Sequence, residues 1–371
     1  MSMDHRKDVR YRYAGSGSKL FVTAVLPGLF LLCSSPVIAV DGDPEQVRIY
    51  QTREERRDAG LKHRFTDWLI LSGLLELEAG VVRFNQRDNS SSRHDNNSFG
   101  TLQIAAELHP QDWFKVEALY EYDTEDKVHL IDEIFASIAI ENAEFEFGKL
   151  YLPFGAYYSN FVTGPILEFG ETRAEAVVFN YGFTDQIEGS LFAYSGDARK
   201  YDDDNDLDWG FAIEGTLNFG TAGFSFISDL ADSDEGLLSD EGDRYNKRVS
   251  GLSAFGVTGI DPFEMTLEMV WALDGFEELG RDRNKPSAWN VELGFYPQGN
   301  FDWSLRLEGS REIEGAPKWR TGASLTWRVT QNATLTFEYL YSRYNERLAA
   351  DIQERDFDHT HQAGARFSLQ F

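Results

Sequence analysis

The last thirteen residues of the sequence, His359 to Phe371, read H-T-H-Q-A-G-A-R-F-S-L-Q-F. Apolar side chains occupy every second position from Ala363 to Phe371, and polar or small residues fill the positions between them. Successive side chains of a strand point to opposite faces, so the stretch predicts a β-strand with one apolar and one polar face. The pattern continues to an aromatic residue without a polar tail, which suits the rim of a membrane barrel, where aromatic girdles lie.

This ending resembles the closing strand of bacterial outer-membrane β-barrels, with its terminal Phe and alternating apolar positions. The resemblance implies that Phe371 is read by the barrel assembly machinery.

From Trp68 onward the same two-residue alternation recurs, and it is interrupted by connections that are alternately short and long. An all-β fold is predicted, a transmembrane antiparallel up-and-down β-barrel of about 16 strands. Short turns are predicted at His109–Asp112, Asn142, Thr184–Asp185, Gly220–Gly223, Asp261–Pro262, Gln298–Asn300 and Gln331–Asn332. Longer polar connections are predicted near residues 85–97, 124–127, 153–173, 197–208, 229–247, 274–286, 313–317 and 345–356.

Two other fold classes fit the sequence less well. A soluble β-sandwich would share the alternation but not the regular change from short turns to long loops. Helical membrane spans require about 20 consecutive apolar residues, and no run of that kind follows the first 39 residues.

The N-terminal region predicts export to the bacterial outer membrane. Residues 1–39 read as a signal peptide, with basic residues before the apolar run Leu20 to Leu32 and small residues at Val37 and Ala39. Residues 40–66 are predicted to form a charged periplasmic segment with a short helix or mobile arm, with a solvated tail as the alternative, and residues 67–371 are predicted to form the barrel.

Charge and cysteine content narrow the possible partners. The formal net charge is −27, and removal of residues 1–39, with five basic and two acidic residues, would make it −30. A chain this acidic is not expected to bind nucleic acid. Cys33 is the single cysteine and lies in the predicted signal, so thiolate metal sites are not expected and no cofactor is predicted.

If the apolar face of each strand points outward, the lumen is predominantly acidic. Its basic residues collect late in the chain, and we predict that they line the pore: Arg306, Arg320, Arg328 and Arg366. Arg306, Arg328 and Arg366 are predicted to form a basic strip in the lower half of their strands, opposite acidic residues. A second interpretation, compatible with the first, is ordinary lumen salt bridges, for instance with Glu308 and with Glu338, which is also predicted to line the pore.

Catalytic and metal sites are not predicted. The mature chain has six histidines, none beside a recognisable serine nucleophile element, so an enzyme is not expected. The acidic stretch 202–208 has carboxylates at alternate positions, as in a calcium loop, but lacks that loop's sixth-position glycine and twelfth-position Glu. The favoured interpretation is a solvated acidic loop, bridged by divalent ions to lipopolysaccharide phosphates. Outer-membrane lipid and lipopolysaccharide are thus the expected surroundings.

The loop over residues 153–173 is unusually apolar for a long connection. An exposed apolar loop is a liability in water, so it is predicted to fold into or over the pore through Phe154, Tyr157, Tyr158 and Phe161. Glu168 and Glu171 of the same loop are predicted to face the basic strip at a constriction.

The segment from Gly148 to Phe183 contains G-K-L-Y-L-P-F-G, then S-N-F and L-E-F-G-E-T-R-A. In these motifs it resembles the LbtU-type siderophore porin family of Gram-negative outer membranes. The resemblance implies passive uptake of a small solute, with ferric siderophore as the leading candidate and iron acquisition as the role.

Two alternatives stay open: a general cation-preferring diffusion porin, and a closed-lumen surface barrel that acts as an adhesin or receptor. Energy-coupled siderophore receptors need about 22 strands and a plug, more than this chain can supply.

Overall fold

The computed structural model describes residues 63–371 apart from 88–91, 125–127, 197–198, 201–206, 218–219, 234–236, 238–243, 246, 280–283, 314 and 346–356. The predicted signal peptide and residues 40–62 of the predicted charged segment lie outside the described residues. Among the described residues, no helix has the length and apolar character needed to cross a membrane.

Sixteen antiparallel strands form a closed barrel, which confirms the predicted fold class. The strands are β1 (Leu69–Gln86), β2 (Ser92–Gln111), β3 (Phe114–Asp123), β4 (Val128–Ile140), β5 (Ala143–Tyr151), β6 (Arg173–Thr184), β7 (Ile187–Ser195), β8 (Asp208–Leu217), β9 (Gly220–Ile227), β10 (Gly251–Ile260), β11 (Phe263–Ala272), β12 (Ser287–Phe295), β13 (Phe301–Arg311), β14 (Trp319–Arg328), β15 (Ala333–Arg343) and β16 (Phe357–Gln370). Each pairs with the next in the chain, and β16 closes the barrel on β1. Closure leaves no open edge with unpaired backbone groups, as a bilayer requires.

Four smaller elements of the described residues accompany the barrel. The short strand His63–Thr66 pairs with the start of β1. Two-residue strands, Arg199–Lys200 and Arg244–Tyr245, pair in parallel outside the barrel sheet. A 3₁₀ helix, Ile166–Gly170, lies in the connection between β5 and β6.

The side-chain pattern of β11 shows why these residues form a membrane strand. Phe263, Met265, Leu267 and Met269 are exposed on the outer face, whereas Glu264, Thr266 and Glu268 are buried on the inner face. A soluble sheet would place these classes the other way round. An apolar exterior around a polar interior is the arrangement of a transmembrane barrel.

The connections define two ends of the barrel, which we call the short-turn end and the long-loop end. The turns at Glu141–Asn142, Asp185–Gln186 and Asp261–Pro262 lie at the short-turn end, as predicted. Three predicted connections are misplaced. Strands β1 and β2 run through most of the predicted polar loop 85–97. Strand β2 continues to Gln111 within the predicted turn 109–112, and β9 already begins at Gly220, within the predicted turn 220–223.

The errors at 85–97 and 220–223 have a physical cause in strand pairing. The extended ends of β1 and β2 pair with each other from Asn85↔Ser92 onward, so their backbone hydrogen bonds are satisfied without an apolar face. The small residues Thr221 and Ala222 pair with both β8 and β10. Neighbouring strands, rather than residue type, thus decide where these strands begin and end.

The closing contact joins the C-terminal residue to β1. Phe371 and Gly73 exchange two backbone hydrogen bonds, of 2.6 and 2.9 Å. The Phe371 ring lies so close to Gly73 that a Cβ on the glycine would be 2.6 Å from ring carbons. Glycine at residue 73 therefore allows the aromatic ring to pack across the seam.

Buried apolar side chains collect inside the barrel between the β5–β6 connection and strands β6 to β12. The connection contributes Leu152, Phe154, Leu167 and Phe169. The strands and neighbouring loops contribute Val178, Phe192, Tyr194, Ile227, Leu230, Val249, Val270 and Phe276. This internal core explains how an apolar connection avoids exposure to water.

Candidate functional site

The inner wall of the barrel carries a ring of buried carboxylates. Every second residue of a strand faces inward, and glutamates occupy many of these positions: Glu76, Glu107, Glu117, Glu133, Glu264, Glu268, Glu292, Glu308 and Glu338. Buried charges require partners. The hydrogen bonds and ion pairs of these carboxylates therefore show which part of the lumen each of them organises.

Residues 152–172, here called the inner loop, cross the lumen from β5 to the opposite wall. Near its start, Gly155 N donates to Ser225 Oγ of β9 (3.1 Å). The amides of Ala156 and Tyr157 then donate to the two oxygens of Glu268 on β11, at 2.7 and 2.9 Å. One inward-facing carboxylate thereby satisfies two adjacent backbone donors that no strand could pair.

Three more glutamates hold the rest of the inner loop in the same way. Asn160 N donates to Glu292 of β12 at 3.0 Å. Thr163 donates to Glu338 of β15 through its amide (3.0 Å) and through its hydroxyl (2.5 Å). Ile166 N donates to Glu308 of β13 at 2.7 Å. Hydrogen bonds to ionised acceptors are the strong ones, so these contacts fasten the inner loop to the wall.

Arg306 lies at the centre of this attachment and is 2% exposed. Its Nε donates to Glu292 (2.7 Å), one terminal nitrogen donates to Thr163 O (2.8 Å), and the other donates to Ser159 Oγ. The guanidinium also lies 4.2 Å from the Phe161 ring centre, within cation–π range. Arg306 therefore joins the wall to the inner loop.

Arg320 repeats the arrangement one strand away. It pairs with Glu308 and donates to Gly164 O at 2.6 Å. Gly164 accepts from Arg306 as well (3.2 Å). A side chain there would overlap the Glu168 carboxylate, which lies 1.9 Å from the position of a Cβ. Glycine thus lets the Glu168 carboxylate approach the backbone where two arginines also contact the loop.

The arginines of the predicted basic strip do not all lie at one height, and the strip stays a prediction. Arg306 is the central residue of β13, whereas Arg328 is the last residue of β14 and lies at the short-turn end, paired with Asp302 at 3.2 Å. Arg366 lies 3.4 Å from Glu76 and 3.8 Å from Glu78. Each arginine therefore contacts a carboxylate, which agrees with the expected lumen salt bridges, because burying a charge costs less where an opposite charge contacts it directly.

A cavity of about 1040 Å³ remains between the inner loop and strands β2 to β9. It reaches from Leu130, near the long-loop end of β4, to Asp185 and Gln186 at the short-turn end. Its lining includes nine acidic residues: Glu121, Asp132, Glu133, Glu146, Glu168, Glu171, Asp185, Glu188 and Glu214. Two basic residues, Arg173 and Arg366, also line it. Such a lining produces a negative potential that attracts cations.

The predicted inner-loop residues occupy different places. Glu168 and Glu171 line the cavity, as do Tyr157 and Phe161. Phe154 is 1% exposed and packs in the internal core. Tyr158 contacts Phe255 edge-on, with ring centres 6.0 Å apart.

Sequence reasoning assigned Glu338 to the pore lining but missed that it binds the inner loop with three other glutamates. One sequence feature could have indicated this role. Inward glutamates recur between β11 and β15, and the long connection 153–173 has backbone amides that need hydrogen-bond acceptors.

A separate acidic group lies at the long-loop end. Ligand atoms of Asp208, Asp229 and Asp232 lie within 4.8 Å of one another, with Arg248 Nε 2.9 Å from Asp208. Of the acidic stretch 202–208, residues 202–206 lie outside the described residues. The absence of a metal site stays a prediction.

The fold and its acidic lumen define a porin-like barrel. The chain is similar to the outer-membrane channel DcaP of Acinetobacter baumannii, with a TM-score of 0.58, 14% identity and coverage of 84% of this chain and 99% of DcaP. It is also similar to OprB of Pseudomonas putida, with a TM-score of 0.55, 9% identity and coverage of 86% of this chain and 96% of OprB. OmpF of Salmonella typhi gives a TM-score of 0.55, 13% identity and coverage of 83% of this chain and 99% of OmpF. At this identity the similarity establishes the fold, and function must be argued from the site.

No family model matches the chain. A UPF0422 protein of Coxiella burnetii (strain RSA 493 / Nine Mile phase I) is 27% identical over 303 residues, which cover 75% of this chain and 64% of the relative. A UPF0422 protein of Legionella pneumophila (strain Lens) is 27% identical over 176 residues, 40% of this chain and 33% of the relative. The chain thus matches less than two thirds of the length of these relatives. These comparisons do not single out the siderophore porins, so that resemblance stays a prediction.

Proposed function

We propose that the protein is an outer-membrane channel for passive passage of small solutes, with a preference for cations. The observation that carries this proposal is the acidic cavity beside the inner loop, because its lining extends from the long-loop end to the short-turn end. Water and small solutes can follow such a path without a moving part.

The outer surface supports the membrane placement. Exposed apolar side chains cover the outer faces of the strands, and Trp209, Trp289 and Trp327 lie near strand ends. Apolar bands flanked by aromatic residues are typical of barrels in a bilayer. We propose an orientation in the membrane in which the short turns face the periplasm and the long loops face the outside of the cell.

Phe371 is the residue we propose for recognition by the barrel assembly machinery. Its ring is 42% exposed on the seam between β16 and β1. In Phe371→Ser we expect less inserted barrel in outer-membrane fractions. Normal insertion of this variant, at equal synthesis, would contradict the assignment.

A ferric siderophore is the finer candidate for the solute. It is supported by the resemblance of residues 148–183 to siderophore porins, since this segment contains the inner loop. The charges favour neutral or cationic ferric complexes, because Arg306 and Arg320 already bind glutamates and loop carbonyls.

Planar-bilayer recording tests the channel proposal. We expect steady single-channel currents and a reversal potential in a KCl gradient that favours K⁺ over Cl⁻. A correctly folded protein that carries no current would support a closed-lumen adhesin or receptor and overturn the proposal. A current without cation preference would support the channel proposal but contradict the proposed cation selectivity.

Uptake of labelled ferric complexes tests the solute. Cells with the protein should take up more of a cationic or neutral ferric siderophore than cells without it. For an anionic ferric siderophore this difference in uptake should be much smaller. Equal uptake in both strains, with conductance intact, would favour the general diffusion porin.

A further inference from the structure

Basic and aromatic side chains cluster on the outer face of three neighbouring strands, β15, β16 and β1. The basic members are Arg83, Arg343, His359 and His361, here called the outer basic patch. Register pairs His361 with both Tyr341 and Arg83, and pairs His359 with Arg343. These residues share the outer face with Val81 and Tyr339, which are 39% and 49% exposed.

Direct contacts organise the patch. Tyr339 Oη lies 2.6 Å from His361 Nδ1. The two imidazole rings are 5.5 Å apart, and the Tyr341 ring is 5.1 Å from that of His361. Ring packing and this close contact thus order the imidazoles and tyrosines of the surface on which the two arginines lie.

The patch lies at the height where lipid headgroups are expected. Trp319, the first residue of β14 at the long-loop end, packs on Tyr341 with ring centres 5.4 Å apart. Tryptophan and tyrosine at strand ends mark the boundary between hydrocarbon and headgroups. In the proposed orientation this boundary belongs to the outer leaflet.

The charge of the patch contrasts with the rest of the molecule. The chain carries a net charge of −27, and most outward side chains of the strands are apolar. Among the described residues, one carboxylate contacts the patch: Asp358 lies 3.7 Å from Arg343 and 3.1 Å from His359 Nδ1, and it also pairs with Arg87. A cluster of basic residues facing outward is complementary to an anion outside the barrel.

We propose that the outer basic patch binds the phosphate groups of lipopolysaccharide. The proposal rests on the outer-membrane placement given above but not on channel activity. Arg83 and Arg343 are on the two strands that flank β16, and register offsets them by two residues along the strands. Their Cα atoms therefore lie about 12 Å apart at the usual strand spacing and rise, and the long arginine side chains can reach one phosphate between them. Guanidinium groups bind phosphate oxygens with two parallel hydrogen bonds, and the imidazoles and tyrosine hydroxyl add donors.

The test is a titration of the full barrel protein in detergent with Kdo2-lipid A carrying both phosphates, measured by native mass spectrometry. Dephosphorylated lipid A and inorganic phosphate are the comparison ligands. We expect the phosphorylated lipid to bind at least tenfold more tightly than the dephosphorylated one. The Arg83→Gln/Arg343→Gln variant should lose this difference, and Arg83→Lys/Arg343→Lys should keep part of it.

Lys149→Gln is the matched control, because Lys149 is an outward cation that pairs in register with the exposed Glu175. It should bind like the wild type. Equal affinity of wild type for both lipids, or unchanged affinity in a folded glutamine variant, would overturn the proposal. Inorganic phosphate competing at the same concentration as lipid A would identify a free-phosphate site and also overturn it.

Single-channel conductance of the glutamine variant separates this proposal from the channel proposal. Lipid A binding should be lost while conductance is unchanged. A protein without conductance that still discriminates phosphorylated lipid A would refute the channel and leave the lipid site standing.

Discussion

Two walls of the same barrel carry the same residue type for different purposes. On β11 to β15, Glu268, Glu292, Glu308 and Glu338 accept hydrogen bonds from the inner loop. On the wall from β2 to β9, residues such as Glu121, Glu146 and Glu214 line the open cavity. An inward glutamate is therefore structural where an irregular backbone covers it, and available to solutes where none does.

The difference follows from electrostatics as well as geometry. The covered wall contains Arg306 and Arg320, which neutralise part of its charge at direct contact. The open wall includes acids with weaker local partners, for instance Glu146, which accepts a hydrogen bond from Asn180. A field that acts on a passing ion comes mainly from the open wall, because neutralised pairs contribute little at a distance.

The largest expected effect comes from Arg306→Met on the covered wall. Removal of one partner from a buried ion pair costs about 3–5 kcal/mol, because Glu292 and Glu308 would be left without its charge. We expect the inner loop to detach, which raises conductance and cation preference and lowers the urea midpoint of unfolding in lipid vesicles.

Arg328→Met is the control for this variant, since Arg328 is partly exposed at the short-turn end and pairs with Asp302. Its effect on stability should be below about 1 kcal/mol. If Arg306→Met matched the wild type in conductance and urea midpoint, the covered wall would not hold the loop.

An intermediate effect is expected from the open wall. The combined variant Glu121→Gln/Glu146→Gln/Glu214→Gln should lower the K⁺-to-Cl⁻ permeability ratio several-fold in dilute KCl. The difference in permeability ratio between the variant and the wild type should become smaller in concentrated salt, because the Debye length falls from about 10 Å at 0.1 M to about 3 Å at 1 M. Reversal potentials in matched gradients measure both quantities.

Glu175→Gln removes an acid from the outer face and should leave the ratio unchanged. A triple variant with wild-type selectivity would show that the open wall does not determine ion preference.

The smallest effect is expected from Thr163→Val. This change removes the hydroxyl bond to Glu338 and the bond that the same hydroxyl accepts from Gln362 (2.8 Å), but keeps the amide bond to Glu338. A hydrogen bond to a charged group contributes about 1.5–3 kcal/mol, so the urea midpoint should fall slightly and current noise from the loop should rise.

Thr326→Val is the comparison, because Thr326 pairs with the hydroxyl of Thr336 (3.0 Å) rather than with the loop. It should lower the midpoint without changing current noise. Equal noise in both variants would argue that Glu338 does not restrain the inner loop.

The sequence by itself determined the barrel, because strand alternation is a local property. Apolar and polar residues alternate with a period of two, so residue type indicates the face of the strand on which each side chain lies. The outward face of β11 and the alternation that ends at Phe371 could be assigned without knowing any neighbour. The extended pairing of β1 with β2 could not, because polar residues form a strand there only when a partner supplies hydrogen bonds.

Only the tertiary structure decided which charges meet. Arg306 reaches Thr163 and Ser159, and Arg320 reaches Gly164, across separations of 143 to 156 residues. Strand register and the path of the inner loop set these contacts, and neither is encoded by residue type at a single position. Consequently the sequence could name Arg306 as a lumen residue, but only the folded loop shows that its charge holds the wall and the loop together.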